Sequence, residues 1–127
     1  MTAVEPRFLL DTNICIYLLG ARDDGLRERI EACDEGELVT STVVYAEVMI
    51  GANNRGASRA ASALFERIPP QAFDLVAGAA YAKLPFRRGN FDRLIAAHAI
   101  SLDLTLVTNN ERDFADIDGL RVENWTI

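Results

Sequence analysis

Three acidic side chains lie just beyond predicted β-strands. Asp11 closes the short apolar run at 7–10, Glu47 lies on the helix after the second predicted strand, and Asp113 follows the strand at 104–107 by a short loop. Parallel strands present their carboxyl ends at one edge of a sheet, where open α/β proteins bind their ligands. We therefore expect the three acids to share that edge.

Two acids lie on apolar helical stripes. Glu47 shares its helix face with Val43 and Ile50, and Asp92, in the first turn of a later helix, shares its face with Ile95. A buried carboxylate is costly unless it is paired or coordinates a metal. The alternatives are an arginine partner for Glu47 and, for Asp92, the favourable macrodipole of a helix N-terminus.

Four carboxylates gathered at one edge, with almost no lysine or histidine among them, would repel one another. A divalent cation is the natural counter-charge, and ligands that are all oxygen favour Mg²⁺ or Mn²⁺ over zinc. Such clusters suit phosphoryl chemistry, because the metal generates hydroxide and neutralises charge that develops on the phosphate.

Strands and helices alternate along the chain, which predicts an α/β fold of three α/β/α layers around a mostly parallel sheet. Strands are predicted at 7–10, 37–41, 104–107 and 120–122, with an extended piece at 71–73. Helices are predicted at 12–19, 22–34, 42–50, 57–67, 74–84 and 91–102, with a loop or short helix at 108–119. The predicted N-terminal caps are Thr12 or Asn13 for the first helix, Ser41 or Thr42 for the third and Asn90 for the last. Gly51 is predicted to end the third helix.

Length and composition indicate one ordinary globular domain over residues 1–127, since half of the residues are apolar and a quarter are charged. No apolar run approaches the roughly 18 residues of a membrane helix, and no secretory signal opens the sequence, so a cytoplasmic protein without membrane contact is expected. Cys15 and Cys33 lack partners at metal-ligand spacing, which argues against zinc and predicts two buried thiols in a reducing compartment.

The charge is unevenly distributed. The net charge is −6, but residues 51–100 carry seven basic and three acidic side chains. Arg87, Arg88 and Arg93 flank Asp92 in the sequence and are candidates to contact a phosphate backbone. The alternative is a solvated loop.

Two other functional classes fit the residues poorly. An enzyme with an aspartyl nucleophile commonly carries a second aspartate two residues further on, where this chain has Asn13. A response-regulator receiver domain needs an acidic pair after its first strand and a lysine after its last strands, but the only lysine is Lys83, in a predicted helix. His98 is interpreted as structural, since its spacing places it off the face of Asp92.

Four segments in fixed order resemble the PIN-domain ribonucleases, and among them the VapC toxins of type II toxin–antitoxin modules. The segments are FLLDTNICIYLL, STVVYAEVMIGA, FDRLIAAHAISLDLTLVTNNERDF and GLRVENW. They span nearly the whole chain. The chain departs from the family pattern before Phe91, where only residues 85–90 replace the longer helix and glycine-containing loop that are usual there. This shortening leaves substrate choice and dimer geometry open.

The resemblance implies site residues. Asp11, Glu47 and Asp92 match the first three metal-binding acids of the family. The fourth acid stands at the position of Asn110 in some PIN proteins and of Asp113 in others, and Asp113 is favoured here. Supporting polar roles are implied for Asn13, Thr108 and Asn110.

The resemblance also implies a function and partners. It predicts a Mg²⁺-dependent endoribonuclease, with Mn²⁺ as a possible substitute, that acts as a toxin on a tRNA or another structured RNA loop. A homodimer and a cognate VapB-type antitoxin are expected. The alternative is a catalytically silent PIN-fold module that binds RNA or protein, and its signature would be loss of one or more acids.

Overall fold

The protein is described from a computed structural model covering residues 4–20, 24–85 and 91–127. Five strands form one sheet in the order β3-β2-β1-β4-β5, and every neighbouring pair is parallel. The strands are β1 (Phe8–Leu10), β2 (Leu38–Ser41), β3 (Pro70–Gln71), β4 (Thr105–Val107) and β5 (Val122–Glu123). The predicted α/β fold with a parallel central sheet is confirmed.

Helices flank this sheet. They are α1 (Thr12–Gly20), α2 (Asp24–Glu31), α3 (Thr42–Asn54), α4 (Ser58–Arg67), α5 (Leu75–Ala82) and α6 (Asp92–Leu102), with a 3-10 turn at Glu111–Phe114. On one side α1, α3 and α4 pack against one another, and α5 packs along α6. Within the described ranges, no helix has the length and apolar character needed to cross a bilayer.

The central strand β1 explains the continuous apolar run that precedes Asp11. Phe8, Leu9 and Leu10 are all buried, because a central parallel strand is covered on both faces. Leu9 pairs with Val39 of β2 on one side and with Leu106 of β4 on the other. The sheet therefore fixes the position at which β1 ends.

The two edge strands, β3 and β5, are two residues long. Pro70 of β3 has no N–H to donate, and the neighbouring strand β2 instead donates the Thr40 N–H to the Pro69 carbonyl at 3.1 Å. Both edges are therefore short, and one of them begins with a proline.

Several predicted boundaries are wrong. Helix α3 continues through Gly51 to Asn54, since a helical glycine costs only about 1 kcal/mol and the following Ala52 is fully buried. The chain turns instead at Gly56, whose φ is 68°. Helix α2 ends at Glu31, so Cys33 lies beyond it and is half-buried, whereas Cys15 is buried as expected.

Two predicted caps lie elsewhere, while that of α3 is confirmed. The Ser41 Oγ accepts the N–H of Val43 at 3.0 Å. At α1 the cap is Asp11, not Thr12 or Asn13, because the Ile14 N–H donates to its Oδ1 at 3.0 Å. At α6 the cap position is Phe91, and Asn90 lies outside the described residues.

Candidate active site

Asp11 is the buried centre of the site. It follows β1 directly, and its N–H donates to the Val107 carbonyl of β4 at 3.1 Å. Its carboxylate is held from two sides, by the Ile14 N–H and by the hydroxyl of Thr108, a fully buried residue that follows β4. The strand end and the helix start therefore fix Asp11 together.

The environment of Asp11 opposes its charge. Burial raises the pKa of its carboxyl from 3.8 to about 6, against the lowering effect of the bonds from Thr108 and Ile14. The negative charges of Asp92 and Glu47 raise the pKa further. Three of the acids singled out in the sequence thus lie close enough to influence one another.

Glu47 is held from the neighbouring helix. It is half-buried on α3, and the Thr12 hydroxyl of α1 donates to its Oε1 at 2.7 Å. The sequence suggested an arginine as the alternative partner. Within the described residues its hydrogen-bond partner is this neutral hydroxyl, not an arginine.

Asp92 and Asp113 form the outer part of the site. Burial raises the pKa of Asp92, and the charge of Asp113 raises it further, while that of Arg93 lowers it. Asp113 is exposed on the 3-10 turn, where the Asn110 side-chain amide donates to its Oδ2 at 2.6 Å. Asn110 therefore contacts Asp113, the acid that the sequence favours for the fourth position.

Asn109 links side chains that the sequence treated separately. The exposed Asn13 donates to the Asn109 Oδ1 at 3.4 Å, and the Asn109 amide donates to the Tyr17 hydroxyl at 2.8 Å. The supporting polar role implied for Asn13 therefore involves a hydrogen bond to Asn109. Asn109 itself was missed, although it stands between the two other polar residues that follow β4, Thr108 and Asn110.

The prediction that Arg93 contacts an RNA backbone is wrong. Arg93 is 3% exposed, and its Nη2 donates to both carboxylate oxygens of Asp116, at 2.7 and 2.8 Å. A side chain this deeply buried is not available to a polynucleotide. Arg87 and Arg88 lie outside the described residues.

His98 is structural, as interpreted from its spacing. Its ring is buried, with Nδ1 at 2.8 Å from the Ser41 Oγ and in a T-shaped contact with the ring of Phe73. Burial lowers its pKa, which favours the neutral ring. His98 thus supports the cap of α3 rather than the acidic cluster.

The donor set can be compared with the needs of a cation. In the part of the chain that the structure describes, no group of three or more His, Cys, Asp or Glu side chains is arranged to hold a metal ion. The chemistry nevertheless fits, since the donors are all oxygen and the neighbouring acids raise the pKa of Asp11 and that of Asp92. Glu47 and Asp113 are not buried, so their carboxylates are accessible to a cation.

Comparison with known proteins agrees with this geometry. Residues 8–120 match the PIN domain family, which defines the class of the chain. The tRNA(fMet)-specific endonuclease VapC of Shigella flexneri is 34% identical, and ribonuclease VapC1 of Haemophilus influenzae (strain R2866) is 37% identical. Each match covers 94% of this chain and 98% of the relative. The chain belongs to the VapC family of PIN-domain ribonucleases.

Solved structures give the same result. VapBC-1 from nontypeable Haemophilus influenzae has a TM-score of 0.81 at 33% identity, covering 94% of this chain and 98% of the other. VapBC2 from Rickettsia felis, bound to a DNA fragment from its promoter, has a TM-score of 0.80 at 29% identity, covering 93% and 98%.

Proposed function

We propose that this protein is a divalent-metal-dependent endoribonuclease that acts as the toxin of a type II toxin–antitoxin module. The observation that carries the proposal is the arrangement of Asp11, Glu47, Asp92 and Asp113, whose charges act on one another at the carboxyl edge of a PIN fold. The catalytically silent alternative is disfavoured, because its expected signature was the loss of an acid.

The proposed cofactor is Mg²⁺, with Mn²⁺ as an acceptable substitute. Asp11 and Asp92 would hold it, with Glu47 and Asp113 completing the oxygen ligands. When bound, the cation supplies neutralisation of the phosphate charge and acidification of an attacking water.

The side chains around the acids orient them. The Ile14 N–H and the Thr108 hydroxyl fix the Asp11 carboxylate, and the Thr12 hydroxyl fixes that of Glu47. These neutral donors orient the carboxylates without occupying the site with a positive charge. The cluster therefore keeps the negative potential that attracts a divalent cation.

The proposed substrate is RNA in a single-stranded or loop region, and a tRNA is the leading candidate. Two relatives are named tRNA(fMet)-specific endonucleases, those of Shigella flexneri and Salmonella typhimurium. Hydrolysis would leave a 5′-phosphate and a 3′-hydroxyl. With Arg93 buried, Arg87 and Arg88 remain the candidates for phosphate contacts.

The proposed partners are a VapB-type antitoxin and a second copy of the chain. The support for the antitoxin is the likeness to toxins solved as VapBC complexes. The homodimer follows from the family resemblance of the sequence.

The test compares wild type with Asp11→Asn, Glu47→Gln and Asp92→Asn on total cellular RNA, with Mg²⁺ or with EDTA. Asp103→Asn is the matched control, because Asp103 has a φ of 56°, which asparagine tolerates, and lies at the far end of α6 from Asp92. We expect discrete Mg²⁺-dependent cuts, mapped by end sequencing, that fall at least 10²-fold in the three variants and persist in the control. RNA binding without cuts, unchanged in the variants, would favour the silent module instead.

A further inference from the structure

A buried guanidinium lies directly beside the acidic cluster. Arg93 follows Asp92 at the start of α6, and the described residues offer no hydrogen-bond partner to its buried Nη1. A buried N–H without a partner is unfavourable, and a well-packed apolar side chain is often at least as stabilising at such a position. Stability alone therefore explains Arg93 poorly.

The partner of Arg93 belongs to the segment that carries Asp113. Asp116 lies three residues after Asp113, between the buried side chains of Phe114 and Ile117. Those two apolar side chains anchor the segment in the hydrophobic core. The ion pair adds a directional link from the segment to the first turn of α6, where Asp92 stands.

The geometry of the pair suits this task. One guanidinium nitrogen contacts both carboxylate oxygens, and the Arg93 side chain is 3% exposed against 36% for that of Asp116. The Arg121–Asp103 pair near the other end of α6 is different, with exposures of 57% and 88%. Exposed pairs of that kind contribute little, whereas a buried arginine imposes orientation as well as attraction.

We propose that Arg93 is a positioning residue of the site. Through Asp116 it holds the 3-10 turn against α6 and thereby sets the separation of the Asp92 and Asp113 carboxylates. The inference rests on the proposed function, because the separation matters only if the two acids bind one cation. Arg93 contacts neither the cation nor the RNA in this role.

The test uses matched aspartate-to-asparagine changes in two ion pairs near opposite ends of α6. Asp116→Asn removes the charge that Arg93 binds, and Asp103→Asn does the same to the exposed Arg121 pair. Arg93→Gln and Arg93→Lys complete the set. The readouts are Mn²⁺ affinity by electron paramagnetic resonance, metal-free hydrogen exchange of residues 111–117, and kcat and KM for RNA.

We expect Asp116→Asn and Arg93→Gln each to weaken Mn²⁺ binding by about tenfold, as supporting residues of metal sites do. Exchange of 111–117 should rise in both, kcat should fall more than KM changes, and the double variant should be no worse than either single one. Mn²⁺ affinity and exchange in Arg93→Lys should lie between those of wild type and Arg93→Gln, since lysine keeps the charge but its ammonium is more strongly hydrated and less suited to burial. Asp103→Asn should match wild type in every readout.

Failure of the two proposals can be told apart. Wild-type protein that binds no Mn²⁺ contradicts the proposed function itself. If Asp116→Asn keeps the Mn²⁺ affinity and the hydrogen exchange of wild type, even with a lower Tm, the positioning role of Arg93 is contradicted and the proposed function is not. If Arg93→Gln does not fold, Asp116→Asn decides the question, because its side chain is partly exposed and keeps its shape.

Discussion

The inner and outer parts of the acidic cluster are built differently. Asp11 is 5% exposed and is held by a backbone N–H and a buried hydroxyl, next to the central strand of the sheet. Asp113 is exposed on a single 3-10 turn, where it accepts from the side chain of Asn110. The sheet fixes the inner acid, whereas contacts between side chains fix the outer one.

The two acids therefore contribute to a metal site in different ways. The inner acid is preorganised at an energetic cost, because its charge is buried before any cation arrives. The outer acid carries no such cost but must be held in place. Changes at the two positions should therefore affect stability and activity in different proportions.

The largest expected effect is on stability and comes from Asp11. Its pKa is raised from 3.8 to about 6, so the folded protein binds the proton more tightly than the unfolded chain does. The stability that this proton provides is present below about pH 4 and is lost as the pH rises through about 6. Near pH 7.5, metal-free Asp11→Asn should therefore be more stable than wild type by about 2–3 kcal/mol, since one pKa unit corresponds to about 1.4 kcal/mol.

Urea unfolding of both proteins at pH 5 and pH 7.5, with EDTA and with Mg²⁺, measures this difference. Mg²⁺ should stabilise wild type more at pH 7.5 than at pH 5, because protons compete for Asp11, and should not stabilise Asp11→Asn comparably. An Asp11→Asn protein less stable than wild type at both pH values would show that the buried charge is already compensated.

A smaller effect is expected from the donor to Glu47. Thr12→Val removes the hydroxyl that bonds the Glu47 Oε1 and preserves the shape of the side chain. We expect kcat/KM for RNA to fall about tenfold, the loss of roughly one hydrogen bond to a charged group. Thr12→Ser, which retains the hydroxyl, is the control. Equal activity in Thr12→Val and Thr12→Ser would mean that Glu47 needs no orientation.

The smallest effect is expected at the outer acid. Asn110→Ala removes the amide that donates to Asp113 on an exposed turn. Cleavage should slow by a few-fold, with a change in stability of less than about 0.5 kcal/mol, because the site is solvated. Asn110→Asp tests the other position at which the family places an acid. Activity retained in Asn110→Asp,Asp113→Asn would show that either position can carry the fourth acid, and loss would assign it to Asp113.

Features fixed by neighbours in sequence could be predicted. The apolar run before Asp11 and the cap formed by Ser41 depend on residues only a few positions apart, and both strand and cap are confirmed. The order of strands and helices likewise predicted the parallel sheet.

Features set by distant partners could not be predicted. Arg93 looked like one of three neighbouring arginines, and its burial depends on Asp116, 23 residues later. The contact between Asn13 and Asn109 spans 96 residues. Gly51 failed as a helix stop for a related reason, since packing of Ala52 in the core outweighs the local preference.

The short edge strands restrict how other chains can associate with the protein. A peptide that extended the sheet by β-augmentation would meet two residues at either edge, and Pro70 at one of them supplies no N–H. So brief a ladder neither holds a peptide firmly nor seeds the growth of a fibril. Recognition by a protein partner should therefore use the helical faces.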